Sequence, residues 1–128
     1  MVFECLCGKS RNDFLHVATF SEFAPIVSKF WLCLIRHESN FNSRATNRSK
    51  NGSKDHGIFQ INDRYWCSPP GPQNGCNVKC SSLLDDNLAH DMRCAKIIYS
   101  RRKFNAWYGW INHCRGKNLQ QYVKDCKY

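Results

Sequence analysis

The chain has 128 residues, of which 42% are hydrophobic and 13% aromatic, enough apolar material for the core of one domain. This content excludes an intrinsically disordered chain, and the apolar runs are too short for a helix that spans a membrane. Nineteen lysines and arginines against ten acidic residues leave a net charge of +9, which attracts acidic polymers, nucleic acid or anionic lipid. We therefore expect a single domain over residues 1–128 that does not insert into membranes.

Nine cysteines indicate disulfide bonds and therefore an exported protein. Zinc is the alternative, but neither Cys5-x-Cys7 nor Cys76-x₃-Cys80 has a second pair of ligands at a suitable spacing. The first five residues contain neither a basic leader nor an apolar run, so we expect the mature form, with an intracellular, reduced chain as the other option. Eight cysteines can pair in about a hundred ways, so spacing alone does not give the bonds.

In chain order, the first element is a weak helical pattern near 14–20. A clear amphipathic helix is predicted from Pro25 to Glu38, because proline fits a first helical turn and apolar residues then recur every three or four positions. The dipeptide Asn51-Gly52 predicts a tight hairpin turn in which both residues have positive φ. The strands that it joins are expected near 44–48 and 54–60.

The second half of the chain continues with a proline-rich loop over 68–77 and another long helix. Acids at 85 and 86 mark the start of that helix and bases at 101–103 mark its end. The helix dipole favours negative charge at the N-terminus and positive charge at the C-terminus. A short helix is predicted from Trp107 to Cys114. A last turn is expected through Tyr122 and Val123. The pattern favours a helical lobe, about 1–40 and 88–128, with a hairpin lobe, about 41–87, and a cleft at their junction.

Two carboxyl groups stand out near that junction. Glu38 follows Ile35 by three residues and Leu34 by four, so it shares the apolar face of its helix. Burial there raises the pKa of a carboxyl and suits it to act as a general acid. Asp55 has polar neighbours along the hairpin, and hydrogen bonds to its anion would keep it ionised. Such a pair fits glycosidic bond cleavage, although both residues could equally be ordinary surface acids.

Several segments resemble the c-type lysozymes, members of the lysozyme/α-lactalbumin family. They are His37-Glu38-Ser39, Thr46-Asn47-Arg48, Asn51 to Asn62, Arg64-Tyr65-Trp66-Cys67, Cys94-Ala95-Lys96, Asn105 to Trp110 and Gln121-Tyr122-Val123. The resemblance implies an α+β, lysozyme-like, disulfide-bridged fold with a mostly helical lobe, a small β-hairpin lobe and a cleft between them. It implies a secreted, monomeric lysozyme, a retaining muramidase, that cuts the β-1,4 bond between N-acetylmuramic acid and N-acetylglucosamine in bacterial peptidoglycan.

The resemblance also assigns residues. Glu38 would be the catalytic proton donor and Asp55 the nucleophile or stabiliser. The substrate-binding positions would be Asn47, Gln60, Asn62, Tyr65, Trp66, Ala106, Trp107 and Tyr108, with Trp107 packed over the glutamate. The family's disulfides would be Cys33–Cys114, Cys67–Cys80 and Cys76–Cys94, with Cys126 bonded to Cys7 or, as the alternative, to Cys5. No cofactor and no specific nucleic-acid partner are expected, and the substrates would be peptidoglycan or chitooligosaccharide.

The chain also departs from the family pattern. His56 stands where a tyrosine is common, next to Asp55, whose pKa a charged imidazole would lower. Residues 101–103 are basic where relatives carry an acid, which predicts weaker binding at the outer sugar positions. In the loop that binds calcium in α-lactalbumin, Asp85 and Asp91 are present but Asn87 and His90 replace acids, so no tight calcium site is expected. The alternative function is a non-catalytic, cationic protein that binds sugar or the bacterial surface.

Overall fold

The computed structural model describes residues 25–122, with side chains from residue 29 onward. The weak helix predicted near 14–20 and the bond from Cys126 to Cys7 or Cys5 lie outside these residues. Within the described part, no helix combines the length and the apolar character that crossing a membrane requires.

The predicted amphipathic helix is present as α1, Pro25–Ser39. Residues 31–35 are all buried, so this helix is enclosed on most sides at its centre rather than along a single stripe. The next turn is more open, and Glu38 and Ser39 are half-buried there. The helix ends because Asn40 and Phe41 adopt left-handed backbone, with φ of 53° and 62°.

A small antiparallel sheet follows, in the order β1 (Thr46–Arg48), β2 (Lys54–His56) and β3 (Ile61–Asn62). Its register places Asp55 between Asn47 on β1 and Asn62 on β3. The predicted strand over 54–60 was too long. It ends at His56 because Gly57 has a φ of +80° and lies so close to the Leu83 carbonyl oxygen that a Cβ would approach it to 2.0 Å.

The hairpin turn between β1 and β2 differs from the prediction. Only Gly52 has positive φ, at 89°, and Asn51 does not. Asn51 contributes through its side chain instead, because its Oδ1 accepts hydrogen bonds from the backbone N–H of Ser53 at 3.0 Å and from the Ser53 hydroxyl at 2.6 Å. A side-chain bond to the backbone two residues on thus replaces the second left-handed residue.

Disulfides hold the region after the sheet. Cys67–Cys80, Cys76–Cys94 and Cys33–Cys114 are all formed, which confirms three of the predicted bonds. A short 3₁₀ helix, Cys80–Leu83, then leads to helix α2, Ala89–Arg102. The prediction that Asp85 and Asp86 begin this helix was wrong, because Asp86 turns away to the hydroxyl of Ser43 and the guanidinium of Arg44.

The last elements are a 3₁₀ turn at Lys103–Ala106, the helix α3 at Tyr108–His113 and a 3₁₀ turn at Gln120–Tyr122. The predicted short helix is therefore confirmed, and the predicted final turn is confirmed as far as Tyr122, whereas Val123 lies outside the described residues. Trp31 of α1 sits at the centre of the core, with its ring centroid 4.9 to 5.7 Å from four other rings. These are Phe59, Tyr99, Phe104 and Trp107.

Candidate active site

Glu38 lies near the end of α1, where the helix meets α3. Its Oε2 accepts a hydrogen bond of 2.8 Å from the backbone N–H of Gly109. Burial raises the pKa of Glu38 to about 7, the Gly109 hydrogen bond opposes that rise, and the negative charge of Asp55 adds to it. The helix-face argument thus predicted both the burial and the direction of the pKa shift. At neutral pH about half of these carboxyl groups carry a proton.

Asp55 lies at the centre of the sheet. Its Oδ1 accepts a hydrogen bond of 2.8 Å from the side-chain amide of Asn62, its neighbour on β3. Burial raises the pKa of Asp55, while hydrogen bonds from Asn62 and Ser49 and the charge of His56 lower it. Of the predicted polar partners, Asn62 and Ser49 are therefore present and Asn47 is not, because its amide is bonded to Gln60. Burial has the larger effect, so the net shift of the pKa is upward.

Two other polar residues, Asn47 on β1 and Gln60 just before β3, support this arrangement without binding Asp55. The Asn47 amide donates to Oε1 of Gln60 at 2.8 Å. The buried Gln60 amide donates in turn to the carbonyl oxygens of Ala45, at 3.1 Å, and Gly57, at 3.0 Å. Gln60 therefore braces the turn between β2 and β3, and of the two only Asn47 remains exposed.

The aromatic residues predicted to bind sugar differ in their exposure. Trp107 is buried in the core, and its indole N–H donates to the Phe59 carbonyl at 2.8 Å. Tyr108 is 79% exposed and Tyr65 is 41% exposed, whereas Trp66 and Ala106 are half-buried. Tyr65, Trp66 and Tyr108 thus present surface that a ligand can reach, and Trp107 stabilises the start of α3, which holds Glu38.

A buried pair behind Asp55 was not anticipated from the sequence. His56 and Asp63 are 8% and 3% exposed, and their side chains lie 3.1 Å apart between Nε2 and Oδ2. Asp63 also accepts a hydrogen bond from the backbone N–H of Lys54, so it ties β2 to the turn after β3. The sequence shows an imidazole and a carboxylate seven residues apart. Nothing in that spacing indicates a contact until the turn between them is known.

The helical body, the small antiparallel sheet and the disulfides confirm the predicted class, a disulfide-bonded α+β protein. Of its two candidate catalytic carboxyl groups, Glu38 lies on α1 and Asp55 on β2. The chain belongs to the C-type lysozyme/alpha-lactalbumin family, whose model matches residues 7–126.

Three curated relatives show how similar the chain is to named members. It is 54% identical over 96 residues to lysozyme c-1 of Anopheles gambiae, covering 75% of this chain and 68% of the relative. It is 49% identical over 108 residues to a lysozyme of Bombyx mori, covering 84% and 79%. It is 48% identical over 101 residues to lysozyme C of Ortalis vetula, covering 76% and 78%. These matches confirm the predicted family and the predicted class of enzyme, a lysozyme.

Proposed function

We propose that this chain hydrolyses the β-1,4 bond between N-acetylmuramic acid and N-acetylglucosamine in bacterial peptidoglycan. The observation that carries the proposal is the burial of Glu38, which raises its pKa to about 7, together with the hydrogen bond that Asn62 donates to the second carboxyl, Asp55. A glycosidase of this type needs one protonated and one ionised carboxyl at the scissile bond. The burial of Glu38 and the amide on Asp55 supply that difference.

In the proposed reaction, Glu38 donates its proton to the glycosidic oxygen as the bond to the anomeric carbon breaks. Asp55, as the carboxylate, stabilises the positive charge that develops on the sugar or forms a bond to the anomeric carbon. Glu38, now ionised, then takes a proton from water as the water oxygen bonds to the anomeric carbon on the face that the leaving sugar occupied, and any bond between that carbon and Asp55 breaks to release the carboxylate. The product therefore retains its configuration.

The pH dependence follows from the same two groups. Above about pH 7 Glu38 loses the proton that it must donate, so activity falls on the alkaline side. On the acid side activity falls as Asp55 becomes protonated, and burial moves that limb upward from the ordinary aspartate range. We expect a bell-shaped profile whose limbs belong to the coupled pair.

The proposal includes the remaining site residues. Asn47, Gln60, Asn62, Tyr65, Trp66, Ala106, Trp107 and Tyr108 would form or support the sugar-binding surface. Of these, the exposed rings at 65 and 108 suit stacking against pyranose rings. We propose one domain over residues 1–128, a monomer that is secreted and meets peptidoglycan or chitooligosaccharide outside the cell.

The decisive experiment compares Glu38→Gln with Asp86→Asn in the lysis of a bacterial wall suspension. Both changes remove one carboxyl, but Asp86 is exposed and paired with Arg44 on the surface. We expect Glu38→Gln to lower the lysis rate by at least about a hundredfold and Asp86→Asn to leave it within about twofold. Binding of chitotriose, followed by tryptophan fluorescence, should persist in both variants. Equal lysis by wild type and Glu38→Gln would instead support the non-catalytic, cationic alternative.

A further inference from the structure

Two neighbouring aromatic side chains each carry an arginine over the ring. The guanidinium carbon of Arg64 lies 5.6 Å from the centroid of the Tyr65 ring, and that of Arg101 lies 5.7 Å from the Trp66 ring. Both arginines are exposed. The first pair is local in sequence, whereas the second joins the segment after the sheet to the last turn of α2.

The fold connects this cationic and aromatic surface to Asp55. The side chain of Asn62 donates to Asp55, and its backbone carbonyl accepts the N–H of Trp66 at 3.1 Å. Only one turn of chain therefore separates the candidate catalytic carboxylate from Trp66. Asn62 thus connects Asp55, through its side chain, to Trp66, through its backbone.

The fold also fixes where the helix that carries Arg101 lies relative to Trp66. The backbone carbonyl of Trp66 accepts the N–H of Cys76, at 2.9 Å, and Cys76 is bonded to Cys94 of α2. Arg101 follows Cys94 by seven residues, two turns along the same helix face. The indole also lies close to the backbone of Gly75, where an added Cβ would come within 2.9 Å of Trp66 Cε3.

A guanidinium that stacks on a ring keeps its N–H groups free at the edge, in the planar fork that matches a carboxylate. Among residues 29–122, the ion pairs are Arg44 with Asp86 and His56 with Asp63. Neither Arg64 nor Arg101 is engaged by a carboxylate of that part of the chain. Their positions over the rings lower the conformational entropy that an anionic ligand must remove on binding.

We propose that Arg101, with Arg64 beside it, binds carboxylates carried by the glycan chain, so that the enzyme prefers acidic glycopeptide over neutral chitooligosaccharide. The ligand class is a β-1,4 glycan whose peptide substituents bear free carboxylates. This inference rests on the proposed function, because it assumes that the glycan lies along Tyr65 and Trp66. It revises the sequence-based expectation for residues 101–103: the basic segment changes which substrate is preferred rather than only weakening binding.

The test measures kcat/KM for Arg101→Gln and wild type on three soluble substrates. They are a peptidoglycan fragment with free peptide carboxylates, the same fragment with those carboxylates amidated, and chitohexaose. A charge-assisted, two-point hydrogen bond at an exposed site predicts a loss of about tenfold on the acidic fragment. On the amidated fragment and on chitohexaose the change should stay within about twofold. Arg101→Lys, which keeps the charge but lacks the fork, should give an intermediate loss.

Arg102→Gln is the matched control, because it removes the same charge from the same helical turn. We expect it to lower activity on the acidic fragment by no more than about twofold at physiological ionic strength, where long-range attraction is screened. Equal losses in Arg101→Gln and Arg102→Gln would overturn the inference in favour of general charge attraction. An equal loss on all three substrates would also overturn it and make Arg101 only a support for Trp66. Neither result would count against the proposed reaction. That reaction is tested separately, and unchanged lysis by Glu38→Gln would contradict it.

Discussion

The carboxyl of Asp91 predicts an unusual dependence of stability on pH. Asp91 lies in the first turn of α2, is fully buried, and neither of its carboxyl oxygens is hydrogen-bonded to another of the described residues. Burial raises its pKa to about 8, and the charge of Asp85 adds to that effect. The folded protein therefore keeps this proton at pH values where the unfolded chain, with a pKa near 3.8, has released it.

The sign and size of the effect follow from proton linkage. Between about pH 4 and pH 8 the unfolded state binds fewer protons at this site than the folded state, so the free energy of unfolding falls as pH rises. The slope approaches about 1.4 kcal/mol per pH unit, which gives about 3 kcal/mol between pH 5 and pH 7. Glu38, whose pKa is also raised, contributes a slope of the same sign.

Replacing Asp91 by Asn isolates the contribution of this one group. The amide has nearly the same shape but does not titrate, so the stability of Asp91→Asn relative to wild type should rise by about 3 kcal/mol from pH 5 to pH 7. Urea unfolding followed by circular dichroism at several pH values measures this difference. The exposed change Asp86→Asn should give a curve parallel to wild type over that range. A parallel curve for Asp91→Asn as well would refute a protonated, buried Asp91.

Three further results are expected. Asn62→Ala removes the amide that lowers the pKa of Asp55, so the acid limb of the kcat/KM profile should move to higher pH, and an unmoved limb would contradict that role. Trp107→Phe leaves the Phe59 carbonyl without its indole donor, so urea titrations should show a free energy of unfolding lower by about 1–3 kcal/mol. No change in that free energy would show that the hydrogen bond contributes little. Rising salt should slow wall lysis more than chitohexaose cleavage, because the net charge of +9 attracts only the anionic substrate, and equal slowing would argue against that attraction.

The helical parts of the fold followed well from the sequence because their signals are local. Apolar spacing alone predicted α1 and placed Glu38 on its buried face. The start of α2 was misplaced because acids suit a helix start in general, whereas Asp86 has specific partners 42 and 43 residues away in Arg44 and Ser43. Such long-range pairs do not appear in a local pattern.

The sheet and the substrate surface also depend on long-range contacts that a local sequence pattern does not show. A two-residue strand such as β3, Ile61–Asn62, has too few residues for an alternating pattern, yet it carries the amide that binds Asp55. The contact of Arg101 with the Trp66 ring joins residues 35 positions apart, and the disulfide that holds α2 near Trp66 is Cys76–Cys94. The resemblance identified Asp55 and Trp66, but their contacts required the folded chain.

The central claim is that Glu38 holds its proton near neutral pH while Asp55 is charged. The chain contains three glutamates, so ¹³C labelling of the glutamate carboxyl carbons gives three side-chain signals, and the one missing in Glu38→Gln identifies residue 38. Followed by NMR from about pH 3 to pH 9, that signal should titrate near pH 7. Titration near the ordinary value of 4.5 would mean that Glu38 is ionised at neutral pH and would contradict its role as the proton donor.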